Sequence, residues 1–431
     1  MRHPKLSALA ARAAALPGRG LAYLRGFPRP VLLLTVATLI ESTGRFMAVP
    51  YLTLRMRDAG VSLGALGAVL GAAPLASVIF GAWGGTLADR VGRKPVQIAG
   101  VATSGLALIG FAFAGANPLA LGVLNFLNGM TRTFYRPATQ AAIADHCPPE
   151  RRSEAYALNR IALNAAYAWG PLIGLAIFPV APSLGFVAGG LLNLAAGIYI
   201  ALVVPESAPA LRARAAAPRA RRREAAAEWR AILRDGVFWA WTAGMALVWG
   251  AYDLIQSFLP LHLRESGQSL STYGAVLFAN AAVCVLAQLP LSRLLRTAPI
   301  APSAGLSKLA YAAGFLGFAF LPYPATAVLA MLVLSAGEIW GSAVQSRFVP
   351  EHAKPVLLGR YQGLSVASEL GRAVVAPVAG LLMQRYGSRA VFVAAAAVSI
   401  AGGLVLHLSG SAHDRAAARR AAVPAGSGGE L

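Results

Sequence analysis

Cysteine and charge are what this chain has least of. Its 431 residues include two cysteines, Cys147 and Cys284, and only 13% Asp, Glu, Lys and Arg. Two distant cysteines provide neither a disulfide framework nor a metal-ligand spacing. Soluble domains carry about 25% charged residues, so a chain this poor in charge, with a mean hydropathy of +0.60, belongs mostly in lipid. Acids are scarcer than bases, 17 against 38, for a formal net charge of +21. That excess does not describe a nucleic-acid binder, because the cations are scattered through short segments with no aromatic-interleaved basic domain. No paired His, Cys–His or Ser–His arrangement lies at membrane depth, which argues against an enzyme.

What the chain does have is apolar runs. A spanning helix needs about 20 largely apolar residues. Such runs fall at 31–54, 63–88, 95–115, 119–141, 155–179 and 183–204, then at 237–262, 270–292, 303–322, 325–347, 359–384 and 390–408. They predict an all-α membrane protein of about twelve spans in two pseudo-symmetric bundles of about six. The expected organisation is an N-terminal tail at 1–30, a bundle at 31–204, a linker at 205–236, a second bundle at 237–409 and a C-terminal tail at 410–431. The basic residues cluster in alternate inter-span segments and in both tails, so both termini and the linker are expected on the cytoplasmic side.

The two halves repeat. At an offset of 207, Leu54, Arg57, Asp58 and Gly60 fall on Leu261, Arg264, Glu265 and Gly267, and Gly67-Ala68-Val69-Leu70 falls on Gly274-Ala275-Val276-Leu277. Repeated halves are the build of many secondary transporters. Charges inside the spans then become candidates for function, since each costs roughly 2.5–3.5 kcal/mol at the bilayer centre. They sit at Glu41 and Arg45, at Arg132 and Arg136, at Asp253, at Glu338, and at Glu369 and Arg372; Lys308 lies near the start of its span. Charge thus returns every third span, with one addition, as expected if those helices line an aqueous path. Glu41 with Arg45, and Glu369 with Arg372, share helix faces by spacing. Arg132 and Glu338 occupy equivalent places and are placed to meet at the midplane. Glu41 and Asp253 are the first choices for a proton-carrying carboxylate. Aromatic candidates for a cavity wall are Phe46, Tyr135, Trp249, Tyr252 and Trp340.

One segment carries a sharper signal. Gly84-Gly85-Thr86-Leu87-Ala88-Asp89-Arg90-Val91-Gly92-Arg93-Lys94 joins two apolar runs, with Asp89 inside a cationic cluster. It resembles motif A of the major facilitator superfamily, matching at Gly85, Leu87, Ala88, Asp89, Arg90, Gly92, Arg93 and Lys94. The second half lacks it, since Gly85 aligns with Ser292 and Asp89 with Arg296. Gly170-Pro171-Leu172-Ile173-Gly174 partly resembles the antiporters' motif C, and Tyr135-Arg136-Pro137 onward looks like the bacterial drug/proton antiporter group. Motif B asks for an Arg and a Gln upstream of a glycine; here Asn125 and Asn128 precede Gly129, the usual arginine is missing, and Arg132 or Arg136, one or two turns further on, is the candidate to replace it. The resemblance implies rocking alternating access, a cytoplasmic gate in which Arg93 meets Asp145 and Asp89 faces the helix start near Leu358, and no cofactor beyond a proton gradient as driving force. The implied partners are a small-molecule substrate, protons and the lipid bilayer. A monomer in a bacterial inner membrane is expected, exporting amphiphilic compounds. Import or facilitated movement of one polar solute, and a non-transporting sensor on the same scaffold, remain open alternatives.

Overall fold

The computed structural model describes residues 24–207, 228–295, 297–320, 323–353 and 357–422. Among them there is helix and no strand. The first half comprises α1 (Arg29–Asp58), α2 (Leu63–Val91), α3 (Arg93–Phe111), α4 (Pro118–Asn128), α5 (Arg136–His146), α6 (Arg152–Ile177) and α7 (Pro182–Val203). The second comprises α8 (Gly236–Ser257), α9 (Leu259–Glu265), α10 (Leu270–Leu294), α11 (Ile300–Phe320), α12 (Pro324–His352), α13 (Leu358–Leu364), α14 (Leu370–Tyr386) and α15 (Ser388–Ala422). Their starts follow local chemistry. Ser62 Oγ accepts from Ala65 N–H at α2, Asn117 Oδ1 accepts from Leu119 and Ala120 N–H at α4, and Asp235 accepts from Phe238 N–H at α8. Each satisfies a backbone donor that has no partner within its own helix.

Seven helical stretches among the described residues are long and apolar enough to cross a membrane by length and composition. The other expected spans are helical too, but shorter, more polar or broken. The run expected at 119–141 is interrupted by a π-turn over Thr131–Tyr135. The run at 237–262 breaks between Ser257 and Leu259, beside Pro260, which has no N–H to continue the ladder. The run at 359–384 contains a 3-10 segment, Ser365–Glu369. Two boundaries need correction. The segment around Asp89 is not a loop: α2 continues to Val91 and α3 begins at Arg93, with Gly92 alone between them at φ +108°. That backbone region favours glycine. The expected tail from 410 instead continues α15 to Ala422, because His413 is buried and Asp414 bonds the start of α11.

Helices of each half pack chiefly on one another, α1 on α6 and α7 in the first, α11 on α12 and α15 in the second. The halves meet along two seams, α2 with α14 and α6 with α10. Small residues make the first seam. A side chain added at Gly71 would stand 2.6 Å from Ala373 O, and Gly67 and Gly380 have equally little room. Close backbone approach of this kind is how helices associate in lipid. At the end of the molecule away from Gly92, Arg264 Nη1 bridges the halves to Asp58 Oδ1 at 2.6 Å, and Gly64 N–H donates to Gln384 Oε1 at 3.2 Å. Outward faces are apolar: Leu106, Leu191, Leu202, Leu329 and Leu404 are exposed, as a lipid-facing surface requires.

Candidate functional site

The interior charges form three groups. In the first, α1 buries Glu41 at 2% exposure, and both oxygens are used. Arg45 Nε donates to Oε1 at 3.0 Å and Ser42 Oγ to Oε2 at 2.7 Å. The four-residue spacing makes this a bond within one helix. The Arg45 guanidinium also covers the Phe46 ring at 4.3 Å.

The second group belongs to the other half. Asp253 on α8 is met by Arg372 on α14, with Nη1 3.4 Å from Oδ1. Arg372 Nε lies 3.3 Å from Glu369 Oε2, and its guanidinium covers Trp249 at 4.8 Å. Asp253 Oδ2 takes no hydrogen bond among the described residues. The 3-10 segment ending at Glu369 turns that acid towards Arg372. Arg136 is exposed and lines neither of the two cavities between the halves. Asp253 and Arg45 line one cavity of about 60 Å³ between the halves, together with Asn125, Asn128, Gln256 and Ser257. The structure therefore brings the two expected leading helices to one space, but it is Arg45, not Glu41, that faces it.

The third group surrounds Glu338 on α12. Tyr252 Oη and Asn280 Nδ2 both donate to Oε2, at 2.9 and 2.8 Å. Glu338, Tyr252 and Asn280 share a cavity of about 110 Å³ with Phe46, Asn164 and Tyr167 of the first half. Both cavities hold a few waters at most and fall short of the several hundred Å³ usual for an organic ligand. A change of shape is needed before a cargo can enter. Of the expected aromatic wall, Phe46 and Tyr252 line a cavity and Trp249 supports Arg372. Tyr135 and Trp340 line neither cavity: Tyr135 is buried and bonds Thr38 at 3.0 Å within the first half. The Arg132 side chain lies outside the described residues, and so does its expected meeting with Glu338.

At the α2–α3 turn, Arg93 Nε lies 3.4 Å from Asp145 Oδ2. Sequence reasoning missed the other half of this corner. Glu206, just beyond α7, accepts from the backbone N–H of both Arg93 and Lys94 at 3.1 Å, and Ser207 Oγ donates to Asp145 at 2.9 Å. Its signal was an acid directly after an apolar run in an otherwise cationic flank. The side chains of Asp89 and Arg90, and the environment of Gly85, lie outside the described residues. Gly170, Pro171 and Gly174 serve the α1–α6 crossing. A side chain at Gly170 would stand 2.9 Å from Phe46 Cβ, and Tyr51 Oη donates to Pro171 O at 2.6 Å.

Residues 34–368 match the model of the Major Facilitator Superfamily. The uncharacterised MFS-type transporter YqjV of Bacillus subtilis is 24% identical over 357 residues, covering 82% of this chain and 86% of that one. The quinolone resistance protein NorA of Staphylococcus aureus is 26% identical over 158 residues, 37% of this chain and 40% of that one. Among solved structures, a bacterial homologue of the human lysosomal transporter Spinster, inward-facing and unoccupied, superposes with a TM-score of 0.72 at 15% identity over 90% of this chain and 97% of that one. The helical repeat, the charged seam between halves and the family match converge: this chain belongs to the Major Facilitator Superfamily and is a membrane transporter rather than an enzyme.

Proposed function

We propose that the protein exports amphiphilic, drug-like molecules in exchange for protons across a bacterial inner membrane, with both termini cytoplasmic. The observation that carries this reading is Asp253. It faces the cavity between the halves, holds Arg372 by one 3.4 Å contact, and keeps Oδ2 open. A carboxylate so placed can exchange protons with water and release or recapture Arg372, which sits on the seam helix α14. Glu41 is a poorer carrier, because both its oxygens already have donors. The export direction draws support from the partial likeness to NorA, and the amphiphilic cargo from the aromatic and carboxylate lining around Glu338. The test is transport in proteoliposomes. An imposed pH gradient should drive an amphiphilic dye against its own gradient, and collapsing the pH gradient should stop it. Dye movement indifferent to the pH gradient would end the proton-exchange reading.

A further inference from the structure

Lys308 is fully buried in α11, a helix that lines neither cavity. Its ammonium lies over the Tyr311 ring at 4.0 Å. Burying an ammonium is costly, yet the packing is shaped to keep it. A side chain at Gly341 on α12 would stand 2.7 Å from Lys308 Nζ, and one at Gly403 on α15 would stand 2.8 Å from Lys308 Cβ. Gly341 is three residues from Glu338, on the same face of α12. Glu338 is held by donors from neighbouring helices. Tyr252 and Asn280 both donate to Oε2, and the Cys284 thiol also faces this carboxylate. The ammonium thus lies one helix turn along α12 from Glu338, over a ring that packs beside Glu338's donor Tyr252. Tyr311 and Tyr252, 5.9 Å apart, lie beside them. The other ionisable groups facing the two are Cys284 from α10, Tyr167 from α6, Arg372 from α14 and His407 from α15.

We propose that Lys308 is a positioning residue for the Glu338 site: from its place on Tyr311 it balances the Glu338 charge through space, and a cationic group entering the adjoining cavity takes over that role. This rests on the reading of the protein as a carrier of organic molecules and adds the residue that sets how tightly a cation is held. The cation–π contact with Tyr311 holds the ammonium at that distance without water.

Two measurements on the purified full chain test it. In a thermal double-mutant cycle without ligand, Lys308→Met and Glu338→Gln should each lower Tm, and the double variant should recover most of the loss, because each single change strands the other charge. Additive losses would overturn the pairing. In equilibrium binding of tetraphenylphosphonium, Lys308→Met should bind about tenfold more tightly than wild type, Lys308→Arg should bind as wild type does, and Glu338→Gln should lose binding with or without Lys308→Met. Equal binding by wild type and Lys308→Met, or a loss in Lys308→Met with Tm maintained, would overturn it. Wild type that binds no tetraphenylphosphonium would overturn the replacement step, while proton-driven dye export keeps its separate test.

Discussion

Two corners of the molecule, 207 residues apart in the repeat, do one backbone task with different side chains. In the first half Glu206 accepts from Lys94 N–H at the start of α3; in the second Asp414 accepts from the equivalent Ala301 N–H at the start of α11, at 3.1 Å in both. An anion at a helix N-terminus satisfies free N–H groups and the helix dipole, so both halves arrive at the same solution. The side chains then diverge. Asp145 meets Arg93, a cation at every physiological pH. Its counterpart His352 lies 2.8 Å from Asp235 and 3.2 Å from the ring of His413, and Tyr361 Oη donates to Asp235 at 2.7 Å. The interior repeats the lesson. Glu41 is saturated by its own helix, whereas Asp253 keeps an oxygen open. The repeat fixes where helices start, and the halves differ in which carboxylates remain available for exchange.

The comparison breaks most readily at its interior acids. Glu41→Gln strands Arg45 in a largely buried position and should cost about 3 kcal/mol, read as a lower melting temperature, with gradient-driven transport per folded molecule retained. If stability is unchanged and driven transport is lost, the assignment of the two acids is reversed. Next in size is Asp235. Burial alone would raise its carboxyl, but donation from His352, Phe238 N–H and Tyr361 outweighs this and brings it from 3.8 down to about 2. The folded value is depressed, so its stabilising contribution is present above pH 3.8 and is lost as pH falls towards 2. Asp235→Asn should therefore cost about 2 kcal/mol at neutral pH, and the gap to wild type should close in melts below pH 3. Glu206→Gln, which keeps an acceptor but removes the charge, should cost about 1 kcal/mol, and salt should narrow the difference. The smallest effect belongs to Arg264→Ala. Its bridge to Asp58 is about half exposed at both ends, which limits the change to below about 1 kcal/mol.

Much of this was legible in the residues. Apolar runs located the helices, and the repeated Gly67-Ala68-Val69-Leu70 and Gly274-Ala275-Val276-Leu277 announced two halves. Spacing placed Arg45 on Glu41 and Arg372 on Glu369, because four- and three-residue separations are local facts. What stayed hidden depends on helices distant in sequence. Hydropathy does not report a π-turn at Thr131, and it read α15 as ending where its polar residues begin, although Asp414 and His413 pack against α11 and α12. Lys308 was visible as a cation within an apolar run. Its depth is set by Gly341 and Gly403 on two other helices, which no local pattern connects to it.

The central claim is that coupling runs through Asp253 and not through Glu41. Its most direct measurement compares pH-gradient-driven dye transport with dye exchange at equal pH, for Asp253→Asn in proteoliposomes. The account predicts that driven transport falls at least about a hundredfold, as for loss of a proton-transfer group, while exchange continues. Driven transport at the wild-type rate in Asp253→Asn would contradict it.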